Sequence, residues 1–249
     1  MKRSNVMRAR VAIAALASVA VLPAVALATG VAPAQAAGVN DQAVSGVASP
    51  IWQPNGVVDA VAGGNGVIYA GGNFTSVKPP TGGSGSPTAR TYLAAFDATT
   101  GNLITTFNFT LNGRVYALDL SPDKKTLYVG GAFSTVNGVS HNHIVAINLT
   151  TGALNTTFAA AANRNVRAIE STSSTVYIGG DFTTVKNQTQ AYMASISATN
   201  GALNTAFAPT FLQRPAQTCP TNPPPGCTTT TYTPNVLAIK VSPDGSRVL

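Results

Sequence analysis

The residues able to do chemistry are few and scattered. Histidine occurs twice, in His141-Asn142-His143. Alternate residues of a strand project to one side, so this pair could meet one metal ion. The stretch lies in a loop between two apolar runs, however, and its reading is two solvated loop histidines. The acids are Asp41, Asp59, Asp97, Asp119, Asp123, Glu170, Asp181 and Asp244. Asp97 ends an apolar run, Asp119 lies inside one and Asp181 follows a glycine pair. None are spaced as an obvious general acid and base, although carboxylates from separate repeats could form a glycosidase pair. There is no Gly-x-Ser-x-Gly elbow, no His-Glu-x-x-His and no phosphate loop. The sequence therefore nominates no catalytic residue, no cofactor-binding residue, no metal ligand and no cofactor. Cys219 and Cys227 are the only cysteines, with Pro223-Pro224-Pro225 between them. In an exported chain they are expected to form a disulfide; free thiols or partners outside the chain are the other reading. That loop is read as a stapled insertion first and a rigid binding loop second.

The compartment follows from the N-terminus. Met1 to Arg10 is basic, Val11 to Ala28 is an almost unbroken apolar run, and Ala34-Gln35-Ala36 has the small-x-small pattern of a cleavage site. This is the layout of a secretory signal peptide over residues 1–36, with a retained anchor as the alternative. Residues 37–50 read as a short leader. Removing Lys2, Arg3, Arg8 and Arg10 leaves 11 basic against 8 acidic side chains, a net +3. That charge is too small and too dispersed for a nucleic-acid footprint. The expected mature protein is secreted or held at the cell surface, with no membrane segment after cleavage. Asn73, Asn108, Asn148, Asn155 and Asn187 each stand in Asn-x-Thr, read as incidental in so Asn- and Thr-rich a chain.

The elements that must position these residues are repeats. Val67-Ile68-Tyr69-Ala70-Gly71-Gly72-Asn73-Phe74 recurs as Thr126-Leu127-Tyr128-Val129-Gly130-Gly131-Ala132-Phe133 and as Val176-Tyr177-Ile178-Gly179-Gly180-Asp181-Phe182. Each phrase is followed by an apolar run and a Thr-Gly or Asn-Gly turn at 100–101, 151–152 and 200–201. Gly131 to Gly152 and Gly180 to Gly201 are both 21 residues apart; Gly72 to Gly101 is 29. The surplus falls in the Pro/Gly/Ser tract from Lys78 to Arg90, a loop insertion. Four short apolar runs in each unit of about 50 residues predict an all-β fold of β-propeller blades, with another β-repeat or a sandwich as alternatives. The units are 57–113, 114–164 and 165–234, the last with the Cys-containing insertion 211–233; a stub at 235–249 opens a fourth. The glycine pair should end the second strand at a bulge or a close backbone approach, and Phe74, Phe133 and Phe182 should wedge between blades. Ile51 to Gly56 reads as the outer edge of a blade. Three units and a stub do not close a ring, so the expectation is a partial propeller: a fragment of a longer protein, or an arc that would leave an exposed edge.

Tyr128-Val129-Gly130-Gly131-Ala132-Phe133 and Thr151-Gly152-Ala153-Leu154, with Val115-Tyr116-Ala117-Leu118 ahead of them, resemble the delta-60-type propeller repeats of secreted actinobacterial proteins. The resemblance covers residues 51–249. It implies the propeller fold, secretion and further blades or extracellular domains in the full-length protein, and it maps no catalytic residue onto this chain. The functional expectation is a module binding an extracellular ligand, glycan or protein, through its loops. The alternatives are an extracellular enzyme on the same ring, of quinoprotein dehydrogenase or polysaccharide-cleaving type, and a structural spacer.

Overall fold

The computed structural model of the chain describes residues 51–211, 234–242 and 247–248, all within the second of the two units into which the chain divides, Val47–Leu249. The expected signal peptide, the leader and the Cys219–Cys227 pairing lie outside the described residues.

The described residues form strands, turns and connections, with no helix among them. β1 (Gln53–Pro54), β2 (Val57–Gly64), β3 (Val67–Asn73), β4 (Ser76–Lys78), β5 (Thr88–Ala89) and β6 (Leu93–Asp97) make the first blade. β7 (Val115–Leu120), β8 (Thr126–Gly131), β9 (Thr135–Val136), β10 (Val139–Ser140), β11 (Ile144–Asn148) and β12 (Ala153–Leu154) make the second. β13 (Val166–Ser171), β14 (Thr175–Gly180), β15 (Thr184–Val185), β16 (Gln188–Thr189) and β17 (Met193–Ser197) make the third. The second blade is a four-stranded antiparallel sheet in the order β12-β11-β8-β7. The first and third run β2-β3-β6 and β13-β14-β17. Their outermost strand shrinks to one bridge, Phe96 to Leu103 and Ile196 to Leu203. A single bridge, Val241 to Val248, begins the fourth unit.

Blades stack face to face, so a strand buries both sides and its apolar run needs no alternation. Between blades 1 and 2, Tyr69, Leu93 and Ala95 pack with Val115, Leu127, Val129 and Phe133. Between blades 2 and 3, Tyr128, Ile144 and Ala146 pack with Val166, Val176, Ile178 and Phe182. Phe74 lies in the smaller cluster on the far side of blade 1 with Val77, Ala94 and Phe96.

The two glycines of each pair serve different neighbours. A Cβ on Gly71 would strike Val115 of the next blade. One on Gly130 would lie 2.7 Å from Val166 Cγ1 and 2.9 Å from Ile169 Cδ1, and one on Gly179 would meet Val236 and Ile239. The second glycine faces the backbone of its own first strand: Gly72 meets the Val57 carbonyl, Gly131 that of Arg114 and Gly180 that of Asn165. One glycine admits the next blade; the other admits a bulge.

The stretch 51–56 does not form an outer strand. Gln53 and Pro54 pair with Lys78 and Val77 on β4. The connections into blades 2 and 3 do the same, through bridges from Leu111 to Val136 and from Ala162 to Val185. An asparagine anchors each crossing. The Asn55 side-chain carbonyl accepts from the Thr75 and Ser76 amides, and its NH2 donates to Thr75 Oγ1. Asn112 holds Ser134 and Thr135 in the same way, and Asn163 holds Thr183 and Thr184. Each clamp gives an acceptor to two successive amides where the chain enters the short hairpin after the glycine pair. A Ser or Thr directly follows each Gly-Gly-x-Phe, and its hydroxyl accepts from the clamping asparagine.

Candidate functional site

The first strand of every blade is bulged opposite its glycine pair. The register shifts between Val58 and Ala60, between Val115 and Ala117, and between Val166 and Ala168. The extra residue is Asp59, Tyr116 or Arg167. A bulge leaves one residue outside the ladder and re-aims its side chain. First strands of successive blades lie side by side, so the three extra residues form a row across the blades. They sit where the first strands begin and the second strands end. The short hairpins β9–β10 and β15–β16, the β4–β5 pair and the inter-blade connections gather at that same end.

The row is charged and aromatic. Arg114 Nε donates to Asp59 Oδ2 at 2.7 Å and Nη2 to Oδ1 at 2.5 Å, joining blade 2 to blade 1. The Arg114 guanidinium lies 5.3 Å from the Tyr116 ring centroid, and that of Arg167, from blade 3, lies 4.7 Å from it. Arg167 Nε donates to both Asp181 carboxylate oxygens, and Asn165 Nδ2 donates to Asp181. The Arg167 hydrogen bond holds the Asp181 carboxyl below its ordinary range, with Asn165 and the more distant Arg164 adding to it. Arg167 in turn is held more firmly protonated by Asp181. A forked guanidinium keeps its plane and spare N–H groups fixed, and the Tyr116 ring holds the two guanidinium groups through cation–π contacts. A neighbouring hollow of about 370 Å³ is lined by Arg164, Asp181, Thr183, Tyr192, Pro234 and Asn235. Together these groups offer hydrogen-bond donors and acceptors to a polar ligand. None of them is arranged as a nucleophile with its base.

The other acids among the described residues have structural duties. Asp97 accepts from the Thr99 and Thr100 amides and the Thr100 hydroxyl, which hold its carboxyl below the usual range; Asn148 does the same work one blade on. Asp123 closes its own turn with Ser121 Oγ and the Lys125 amide. Glu170 pairs with Lys240 at 2.7 Å. Asp119 accepts from the Ser171 amide and hydroxyl of the next blade, both at 2.6 Å, and burial raises its pKa against the pull of those bonds.

Both histidines lie in the loop, as the sequence suggested, but half-buried rather than fully solvated. His143 occupies the left-handed corner (φ 67°) held by Tyr92 and Tyr192 in the other blades. Its Nδ1 donates to the Gly131 carbonyl at 3.1 Å. Burial lowers the pKa of both His143 and His141. Among the described residues no three His, Cys, Asp or Glu side chains group around a point that could hold a metal ion.

The family model described as "Domain of unknown function (DUF5122) beta-propeller" matches residues 122–158, from the turn before β8 through β12 to Phe158. No curated protein matches the chain. Among solved structures, the chain is similar to the computationally designed Ika8 protein, at 13% identity and a TM-score of 0.41 over 75% of this chain and 40% of that one. It is similar to the designed Ika4 protein at 12% identity and 0.41, over 78% and 91%. It is also similar to the Neurospora crassa Pan2 WD40 domain at 9% and 0.38, over 74% and 43%. The chain thus spans less than half the length of the first and third of these. The recurring sheet, its bulge and glycine pair, and the matched stretch at their centre make the described residues an all-β array of β-propeller repeats.

Proposed function

We propose that this chain is a secreted or cell-surface binding module that takes its ligand, a glycan or a protein segment, on the end of the blades where the bulged residues lie. The observation carrying this reading is the recurrence of the bulge in three successive first strands. Each time it lifts a side chain of ligand-contacting type, Asp59, Tyr116 or Arg167, to the same end. A rigid stack with varied residues at one repeated position suits recognition, since the scaffold is already ordered before binding. The described carboxylates all serve ion pairs, turns or blade contacts, which favours binding over hydrolysis as the task of this surface.

The test is retention of the secreted chain on cell-wall polysaccharide and on a glycan array, with Tyr116→Ala and Arg167→Ala alongside. The expected result is retention that each variant weakens at least tenfold while the circular dichroism spectrum holds. Retention unaffected by both variants would remove this end of the blades from the binding role.

A further inference from the structure

Blades 1 and 2 meet as blades 2 and 3 do along their inner strands, and differently at the outer edge. Between blades 2 and 3 that edge is closed. The Ala159 amide donates to the Asn200 carbonyl at 3.0 Å, and a Cβ on Gly201 would lie 2.5 Å from the Ala160 nitrogen. Phe158 is buried there, and the Tyr128 hydroxyl donates to the Ala198 carbonyl at 3.2 Å. Between blades 1 and 2 the same register is open. Phe109 stands where Ala160 stands, each two residues before a matching bridge, at Leu111 and Ala162. Its ring lies edge-on to Phe107, with centroids 5.0 Å apart. A phenyl group in place of a methyl holds off the turn of the next blade. Gly152 has open space beside it, and among the described residues no bond joins Asn108 to Thr151. The result is a hollow of about 340 Å³, walled by Val67, Ile104, Phe107 and Leu149, with Thr151 at its rim. Tyr69, the counterpart of Tyr128, also lines it. Tyr69 is 6% exposed, and its hydroxyl has no hydrogen-bond partner among the described residues.

We propose that this hollow binds a small neutral aromatic compound, its ring against Ile104, Phe107 and Leu149 and one of its oxygens accepting from Tyr69 Oη. The unpaired hydroxyl carries the proposal. A buried hydroxyl without a partner is costly, and the same group one blade on has its acceptor. Burial raises the Tyr69 pKa, so the group stays protonated and donates; the ligand supplies the acceptor. No charged side chain lines the hollow, so an ion would enter it without a counter-charge. A sugar would turn most of its hydroxyls toward Val67, Ile104, Phe107 and Leu149, which offer them no partner. The volume is about twice the ~150 Å³ of a cavity that takes benzene, which leaves room for a substituted ring. Val67 begins β3 and Leu149 follows β11, so the hollow lies at the strand ends opposite the bulged row. It is a second site, independent of the ligand proposed above.

Saturation-transfer NMR titration of the full chain tests this, with acetophenone as the probe and ethylbenzene as its match without the acceptor. The expected result is a Kd for acetophenone below about 1 mM, about tenfold tighter than for ethylbenzene. Tyr69→Phe should remove that tenfold difference and leave ethylbenzene binding as it was. Tyr128→Phe, whose hydroxyl is already bonded to Ala198, should leave both compounds unaffected. Thr106→Trp, at an exposed position on the wall of the hollow, should fill the space and weaken both compounds at least tenfold. A Kd for acetophenone above about 1 mM would overturn the proposal, as would a preference for acetophenone that survives Tyr69→Phe. Binding untouched by Thr106→Trp would place the compound elsewhere and overturn the site. Methyl glucoside binding more tightly than acetophenone would overturn the ligand class.

Discussion

Blades 1 and 2 share a repeat, a bulge and a glycine pair, yet one apolar face of the pair is buried and the other meets solvent. Leu127 is fully buried against blade 1, while Ile68, at the same register position, is 38% exposed. The residue types match; only the neighbour differs. A blade's sequence thus specifies a surface suited to burial, and the stack decides whether that burial occurs. The hydrophobic contribution of a position follows the area removed from water, so equal substitutions should have unequal costs in the two blades.

The largest effect should come from the glycines that the stack requires. Gly131→Ala sets a methyl against the Arg114 carbonyl, and Gly130→Val drives a branched side chain into Val166 and Ile169. Each should cost about 3 kcal/mol or prevent folding, as urea unfolding would report. Leu127→Ala should cost about 3 kcal/mol by opening a cavity between blades. Ile68→Ala should cost under about 1 kcal/mol in the same assay. Equal losses at these two positions would break the comparison.

The asparagine clamps should rank next. Asn112→Ala leaves the Ser134 and Thr135 amides without their acceptor and should cost about 1–2 kcal/mol in the same assay. Asn55→Ala and Asn163→Ala should fall in the same range, since their bonding is the same.

Smaller, and of opposite sign, is the effect of Asp119. Burial raises its folded pKa above the unfolded value. Its contribution to stability is therefore fully present below the unfolded pKa and lost as pH rises through the folded one. Asp119→Asn keeps an acceptor for Ser171 without the charge. It should stabilise the protein by at most about 1 kcal/mol at pH 7, with the gain disappearing in acid. Thermal melts of both proteins at several pH values would show this. Asp181 has the reverse sign: Arg167 lowers its folded pKa, so its contribution is present above the unfolded pKa and lost as pH falls through the folded one. Arg167→Ala should flatten that acid limb and change stability at pH 7 by under about 1 kcal/mol, because the pair is partly exposed. Its consequence belongs to ligand retention.

The sequence by itself determined the unit. Gly-Gly-x-Phe, the Thr-Gly and Asn-Gly turns and the apolar runs are local signals repeated at a steady period, and each blade formed where they stand. The tertiary structure decided the relations that cross the chain. The Asn55 clamp reaches about twenty residues away, Arg114 meets Asp59 fifty-five residues back, and Asp119 finds Ser171 fifty-two residues on. No local pattern specifies those pairs, because each depends on which strand begins beside which. The stretch 51–56 shows the same dependence: read alone it suits the outer edge of a blade, and its Trp52 amide does reach Gly101 there, but Gln53 and Pro54 go on to Val77 and Asn55 to the Thr75 loop, partners that only the folded blade assembles. The bulge is the clearest case. One extra residue in each first strand cannot be seen until its partner strand sets the register, and that register is what brings Asp59, Tyr116 and Arg167 into one row.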